Sequence, residues 1–166
     1  MTPALIRLDR RNAPEVQALF ERYADFFVLT EGGPPDNGAA MRELELIVPG
    51  RTAAEMINLG VYRDGALVAF VELIENYPRP HEWWIALLLL DPAVRRRGFG
   101  TEIHRAIAEL VIERGGTAIG IGVLEPNRDG EQFWRKLGYV ERERQPYRMA
   151  SGGETVVIVM SSCLVV

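Results

Sequence analysis

Residues Asp91 to Thr101 read Asp-Pro-Ala-Val-Arg-Arg-Arg-Gly-Phe-Gly-Thr. An all-apolar run, Ile85 to Leu90, stands before them, and a helix-periodic stretch, Ile103 to Arg114, follows. The pattern is a strand, a basic glycine loop and the first turn of a helix. Such a junction aims unpaired backbone N–H groups and the positive end of the helix dipole at one place. Glycine at 98 and 100 lets a bulky anion approach the backbone. Arg95, Arg96 and Arg97 add fixed charge and forked donors. A diphosphate is the guest that uses all of these. The nucleotide P-loop is excluded, because Gly100 is followed by Thr101-Glu102 rather than by lysine and a hydroxyl residue. The dinucleotide fingerprint is excluded, because Ile103 stands where its third glycine belongs. What remains is Arg-x-x-Gly-x-Gly between a strand and a helix. Taken alone, the loop also reads as a solvated arginine turn ahead of a surface helix.

A second motif follows: Asn127-Arg128-Asp129-Gly130-Glu131-Gln132-Phe133-Trp134-Arg135-Lys136-Leu137-Gly138-Tyr139. Upstream, Val61 to Phe70 forms a hairpin pattern around Asp64-Gly65. Together these resemble the GNAT superfamily of acetyl-CoA-dependent N-acetyltransferases. In that family Arg-x-x-Gly-x-Gly is the pyrophosphate loop. The later motif there reads Asn-x-x-Ala-x-x-(Leu/Phe)-Tyr-x-x-x-Gly-(Phe/Tyr), and the spacing matches at every fixed position. Gly130 replaces the alanine and Trp134 replaces the tyrosine. The resemblance covers about Asn58 to Tyr139.

The resemblance implies an α/β fold of the mixed-sheet, α+β kind. It has about seven strands, mostly antiparallel, with one splayed parallel pair, four helices and a single domain over 1–166. It implies acetyl-CoA as cosubstrate, with its pantetheine arm between the splayed strands. The pyrophosphate falls to the N–H groups of Arg96, Arg97, Gly98, Phe99, Gly100 and Thr101, with Arg95 or Arg97 as side-chain partner. Leu88 and Leu90 would pair their backbones with the arm like an added strand. Asn127 would bond the arm, or cap a helix, or both. Phe133 and Trp134 would wall the thiol end. Arg135 would reach the 3′-phosphate or simply be solvated. Leu90 is the expected N–H donor to the thioester carbonyl. A tyrosine at position 134 would protonate the departing sulfur; Trp134 cannot, so Tyr139 or Tyr147 is the candidate substitute. A thiol with a pKa near ~8.5 also leaves tolerably without an acid.

The residues themselves nominate a base. Glu72 shares a strand face with Val68, Phe70 and Ile74, and a carboxylate there needs a partner or a raised pKa. The competing reading is an exposed strand end. Glu75, His81 and Glu82 are lesser candidates. Glu31 and Asp36 lean toward a cationic acceptor, and Phe26 and Phe27 suggest an aromatic wall beside it. The function expected is transfer of an acetyl group to an amine, on a small molecule or peptide, directly in a ternary complex. The alternative is a non-catalytic acyl-CoA-binding or sensing module, which Trp134 favours.

These groups need a frame. Ala4 to Leu8 reads as a strand and Ala13 to Phe27 as a helix, with Val16, Leu19, Phe20, Tyr23 and Phe27 as its apolar stripe. Val28 to Gly38 reads as a loop and Ala39 to Ile47 as a short helix. Strands follow over Asn58–Arg63, Ala66–Glu75 and Trp83–Leu90, then a helix over Gly100–Arg114. Ala118–Val123 is a strand, Gly130–Leu137 a helix, and Tyr139–Tyr147 with Thr155–Leu164 a closing antiparallel pair. Only the step from Trp83–Leu90 to Ala118–Val123 asks for parallel neighbours.

Composition agrees with a globular chain: 166 residues, 48% hydrophobic and 25% charged, with a net charge of −4. A local basic loop on an acidic body suits a small anion better than nucleic acid. Residues 1–11 lack the apolar core of a signal peptide, and no run approaches the ~20 residues of a spanning helix. The expectation is a cytoplasmic protein without a membrane or nucleic-acid partner, monomeric or homodimeric. Cys163, in the apolar run Val156 to Val166, reads as a buried structural thiol. His81 and His104 are too isolated to suggest a metal.

Overall fold

In the computed structural model, residues 1–164 are described. Seven strands form one sheet: β1 (Ile6–Arg7), β2 (Met56–Arg63), β3 (Ala66–Ile74), β4 (Glu82–Leu90), β5 (Ala118–Leu124), β6 (Val140–Arg148) and β7 (Glu154–Cys163). Their order is β1-β2-β3-β4-β5-β7-β6. Five α-helices accompany them among the described residues: α1 (Ala13–Arg22), α2 (Ala24–Glu31), α3 (Ala39–Glu45), α4 (Phe99–Glu113) and α5 (Arg128–Lys136).

Every neighbouring pair is antiparallel except β4 and β5. These two run parallel, as a connection through a helix requires. They pair only from Glu82↔Ala118 to Ile85↔Ile121, although β4 continues to Leu90 and β5 to Leu124. Beyond Ile85 the two strands part. β4 stays bound to β3, where Leu73 pairs with Ile85 and Glu72 with Leu87, leaving Ala86 as the extra residue of a bulge. β5 stays bound to β7 along its whole length. The result is a wedge that opens inside the sheet.

Side chains alternate across the sheet. Ala69, Val71 and Leu73 of β3 join Ile85, Ile119 and Ile121 under α4. That helix buries Ile103, Ala106, Ile107 and Val111, one face at helical spacing. Phe70 of β3 and Leu89 of β4 face the other way, toward Val16, Leu19 and Phe20 of α1 and Ala40 and Leu44 of α3. Asp91 fastens this second layer to the end of β4: its carboxylate accepts from Arg22 Nε at 2.6 Å and from Ala93 N at 2.9 Å.

The first expected helix divides in two. Tyr23 leaves helical geometry at φ −112°, ψ 36°, and α2 then runs on to Glu31 through residues read as loop. It stops at Gly32, whose left-handed φ of +84° is the usual helix-ending conformation. Hence five helices rather than four. The apolar stripe persists across the break, because Phe27 still packs on Phe20 at 4.8 Å. A 3-10 turn over Ala53–Glu55 leads into β2, which begins at Met56. Cys163 is exposed rather than buried. It ends β7 opposite Ala118 at the margin of the sheet, so the apolar run did not place it in the core. The end of that run, 165–166, lies outside the described residues.

The turn from α4 into β5 gives a sensitive test of this packing. A Cβ on Gly116 would meet Val111 Cγ1 and stand 2.8 Å from the Trp83 indole, and both neighbours are fully buried. Gly116→Ala is expected to lower stability by about 1–3 kcal/mol through overpacking. Chemical denaturation of the two proteins checks it, and equal midpoints would contradict the packing.

Candidate active site between the splayed strands

The wedge between β4 and β5 is the floor of a cavity of ≈ 760 Å³. Leu88 and Leu90 form one wall, with Ile121 to Leu124 opposite. Asp91 N donates to Val68 O at 2.8 Å. With the β3–β4 register, this makes Phe70/Leu89 and Glu72/Leu87 the hydrogen-bonded pairs. The backbone groups of Leu88 and Leu90 therefore face away from β3, toward the opening. Leu90 O is reached there by Arg95 Nε at 3.1 Å.

At the C-terminal end of β4 the chain makes a 3-10 turn over Pro92–Val94 and enters α4 through Arg95 to Gly98. Arg96 and Gly98 both adopt left-handed φ, 61° and 78°. Among the described residues, no acceptor meets the N–H groups of Arg96 to Thr101; the helical ladder resumes with Glu102 N donating to Gly98 O at 3.1 Å. Arg95, Arg96, Gly98, Gly100 and Thr101 all line the cavity. Arg97 and Phe99 do not. Arg97 is exposed, and Phe99 turns inward against the core, with the Arg63 guanidinium 5.6 Å from its ring.

The two loop glycines serve different ends. Gly98 supplies the left-handed turn, and a Cβ there would meet nothing. A Cβ on Gly100 would instead press on the Phe133 ring at 3.1 Å. So Gly100 is small chiefly to seat α4 against α5. Arg95 stacks on Tyr23, its guanidinium carbon 3.5 Å from the ring centroid. Its Nη2 is buried and has no partner.

The far wall comes from α5. Asn127 caps this helix, its Oδ1 accepting from Gly130 N at 3.1 Å, and it also lines the cavity. Capping uses the oxygen and leaves the amide NH₂ unassigned, so both expected roles are sterically compatible. A Cβ at position 130 would stand 2.6 Å from Asn127 Nδ2, which explains glycine where the pattern has alanine. Phe133 and Trp134 line the cavity, with ring centroids 5.0 Å apart.

Tyr139 is a correction. It is not at the cavity. It is 3% exposed, sits behind Trp134 at 5.0 Å, and shares a hydrogen bond of 2.9 Å with His104 Nε2. Burial pushes its hydroxyl well above the ordinary tyrosine range and holds His104 below the ordinary imidazole value. The pair is therefore a neutral core contact. Arg135 also lies elsewhere, bonded to Glu131 at 2.8 Å and Glu141 at 2.9 Å.

Helix α2 was missed by sequence reasoning as a wall of this site. Tyr23, Phe26 and Thr30 line the cavity. Their spacing is helical, and Phe26 stood out as an aromatic; the signal was hidden because the break at Tyr23 looked like continuous helix and Gly32-Gly33 like a longer loop. Phe27 belongs to the core rather than to this wall.

Glu72 is not exposed, contrary to the bland reading of its strand end. It is 1% exposed, on the face covered by α3, beside its cross-strand partner Leu87, which lines the cavity. Burial, then the hydrogen-bonded Glu43 carboxylate, push its carboxyl up to about 10. The other acids are engaged elsewhere: Glu75 with Arg114 at 2.7 Å, Glu82 with Arg79 at 2.8 Å, and Asp36 with Arg42 at 2.8 Å. His81 lies against Gly115 O at 3.2 Å. Neither they nor Glu72 itself lines the cavity, and Glu72 is set apart by its burial beside Leu87. Among the described residues no three potential ligands gather for a metal, and no helix is long and apolar enough to cross a membrane.

Glu72 gives a pH test. Above its ordinary value of 4.5 the unfolded chain sheds a proton that the folded chain keeps until about 10. Unfolding then releases a proton, so stability should fall as pH rises through this window. Glu72→Gln keeps the shape without the titration. Its melting temperature is expected to exceed that of the wild type at alkaline pH, with the gap closing toward acid. A gap that does not change with pH would refute the protonated carboxyl.

Comparison with known proteins agrees with this arrangement. The model of the acetyltransferase (GNAT) family matches residues 16–139. An acetyltransferase structure from Thermus thermophilus superposes with a TM-score of 0.81 at 19% identity, covering 99% of this chain and 98% of that one. The ribosomal-protein-S18-alanine N-acetyltransferase from Escherichia coli gives 0.72 at 15%, covering 98% and 94%. A ribosomal-protein-alanine N-acetyltransferase from Brucella melitensis gives 0.73 at 16%, covering 97% and 99%. No curated protein sequence matches the chain. At these identities the structures speak for the fold, and the family match spans most of the chain, both motifs included. The chain belongs to the GNAT family of acetyltransferases.

Proposed function

We propose that this protein is an N-acetyltransferase that moves an acetyl group from acetyl-CoA to an amine by direct transfer in a ternary complex. The observation that carries the reading is the open edge of Leu88 and Leu90 running into the N–H cradle of Arg96 to Thr101. An extended, diphosphate-ended molecule complements both parts at once. The buried, unpartnered Nη2 of Arg95 beside this cradle supports the same guest.

In this reading acetyl-CoA supplies an acyl thioester, which accepts the amine nitrogen and releases a thiolate. Arg95 and the α4 N-terminus hold the diphosphate. Leu88 and Leu90 bind the arm through their backbones, joined by the free amide group of Asn127. Leu90 N–H donates to the acyl oxygen. Phe133 and Trp134 exclude water from the thiol end. Glu72 is the base. An arriving ammonium lowers the proton affinity of the carboxyl next to it, so Glu72 gives its own proton to water and then takes the amine's proton. The thiolate leaves without a protein acid and takes its proton from water. The acceptor is a small amine or a peptide amine, and the setting is cytoplasmic, without metal.

One observation favours a second reading, an acyl-CoA-binding module without catalysis. Trp134 fills the acid's position, and the hydroxyl of Tyr139, packed behind it, is committed to His104. Thiol release from acetyl-CoA across a panel of amines separates the two readings.

Two outcomes are expected. Acetyl-CoA at 100 times its dissociation constant should add about 2.7 kcal/mol to stability, and Arg95→Ala should shrink that increment. Thermal melting with and without ligand reads it; no shift at saturating ligand would exclude the binding site. Glu72→Gln should lower turnover by about 10²–10⁴-fold while keeping the acetyl-CoA melting shift. Undiminished turnover would remove Glu72 from the reaction.

A further inference from the structure

The cavity runs through the sheet. Its lining takes Phe133 and Trp134 from the layer that holds α4 and α5, and Phe26 and Leu87 from the layer of α1 to α3. β4 and β5 pair for the last time at Ile85↔Ile121, so Ala86 and Gly122 are the next residues on the two sides of the parting. Each is the single exposed residue of its strand, and both line the cavity. Two small residues of interior strands thus frame an aperture. A glycine inside a strand often marks a place where another molecule approaches the backbone closely.

On the face away from α4 the aperture has an aromatic border. Ile85 points into the α4 layer, so its neighbour Trp84 points to the opposite face. The Trp84 indole lies over β5. Its Cε3 and Cζ3 stand 2.6 and 2.7 Å from where a Cβ on Gly120 would be, and its Cζ2 stands 3.5 Å from where one on Gly122 would be. Val157 Cγ2 lies 3.0 Å from that second position. Glycine at 120 and 122 therefore lets the six-membered ring of Trp84 reach the rim of the aperture. Tyr77 meets the indole edge-to-face with centroids 5.8 Å apart, and the indole stays half-buried. From α2, Tyr23 and Phe26 stand on the lining with ring centroids 5.2 Å apart.

Charge is kept off this side. The charged residues of the lining, Arg95, Arg96, Asp129 and Lys136, all come from the α4 and α5 end. Among the described residues, the lining contributed by α2, β4 and β5 has no charged side chain, and the Thr30 hydroxyl is spent on Phe26 O at 2.9 Å. Glu31 and Asp36, which suggested a cationic acceptor, are not on the lining. A second charge on the acceptor would be desolvated here without a partner. A flat apolar body is matched by the glycine backbone and the aromatic rings.

We propose that the Ala86–Gly122 aperture admits the acceptor, that Trp84 and Phe26 set its specificity, and that the acceptor is an arylalkylamine: a primary amine on a short chain from an aromatic ring, with no second charge. This rests on the transferase reading above and adds the acceptor's chemical class. The amine nitrogen bonds to the acyl carbon, the C–S bond breaks with its electron pair going to sulfur, and the surplus proton on nitrogen goes to the base.

The test uses the intact protein with saturating acetyl-CoA and, as acceptors, 2-phenylethylamine, butylamine, spermidine and trialanine with a free N-terminus. Thiol release should give 2-phenylethylamine a kcat/KM roughly tenfold or more above each of the others. Trp84→Leu should cut the ratio of 2-phenylethylamine to butylamine by about threefold or more, through KM rather than kcat. Gly122→Ala, which puts a methyl group into the aperture, should act in the same direction. Both variants should keep the melting shift with acetyl-CoA, because the indole and the added methyl lie on the face away from α4; that shift also shows that each is folded. Phe26→Leu, at a half-buried helix position, reads the same ratio from the other side of the aperture. Equal kcat/KM for 2-phenylethylamine and butylamine, a ratio unmoved by the substitutions, or a preference for spermidine or trialanine would overturn the acceptor class and leave the transferase standing. An absence of thiol release with every one of these acceptors would overturn the transferase reading, and the acceptor assignment with it.

Discussion

The parting of β4 and β5 beyond Ile85 and Ile121 is the constraint on which the remaining structure depends. A strand inside a sheet ordinarily spends its backbone groups on two neighbours. Here β3 takes one edge of β4, and among the described residues no strand takes the other between Ala86 and Leu90, where Arg95 Nε reaches Leu90 O, while β5 turns its outer edge to β7. Unpaired backbone groups at half-buried positions favour whatever can pair with them. The bulge at Ala86 coincides with the parting, and it keeps Leu88 and Leu90 facing the opening rather than β3. Everything else is arranged around this gap: α4 begins where β4 ends, α5 flanks β5, and α2 lies across the mouth.

Charge is divided along the gap. Beyond the C-terminal end of β4 lie Arg95 to Arg97 and the first turn of α4, all positive. In the middle of β3 lies Glu72, with the Glu43 carboxylate of α3 against it. The net charge of −4 hides this separation. A carboxyl such as Glu72 is a poor element of a core. It is desolvated, has no cation, and holds a proton that an exposed glutamate would lose. Hydrophobic residues of similar volume are often as good or better for stability at such positions. On the transferase reading this cost is local and sits where a proton must move, the usual place for stored unfavourable energy.

Legibility in the sequence followed the range of the interactions. The basic loop, the stripe of α4 and the Asn127–Tyr139 motif are short-range patterns, and each appears where its spacing put it. Strand boundaries shifted by a residue or two. Features set by distant partners were not legible. The break at Tyr23 coincides with the Arg95 guanidinium stacked on its ring, a contact remote in sequence. Gly100 looked like room for a ligand, but it is room for Phe133. For Glu72 an exposed strand end stayed open as a reading, because nothing in β3 announces α3 above it. Tyr139 looked available because its partner, His104, is one helix away.

The aromatic cluster of Trp134, Tyr139 and His104 bears on how the two halves of the reaction share their difficulty. On the transferase reading, indole in place of phenol at position 134 removes an acid and adds apolar surface at the thiol end of the cavity. The hydroxyl at position 139 does not replace it, because burial holds it neutral behind the indole, where it is bonded to His104. A thioester tolerates this, since its leaving group is a fairly stable anion near neutrality. An ammonium nucleophile does not tolerate the matching loss, because it cannot attack until it gives up a proton. On the transferase reading, the chemistry therefore leans on the acceptor side and on the buried carboxyl of Glu72. The same asymmetry accounts for a core that spends its aromatic residues on packing at one end and keeps an uncompensated acid at the other.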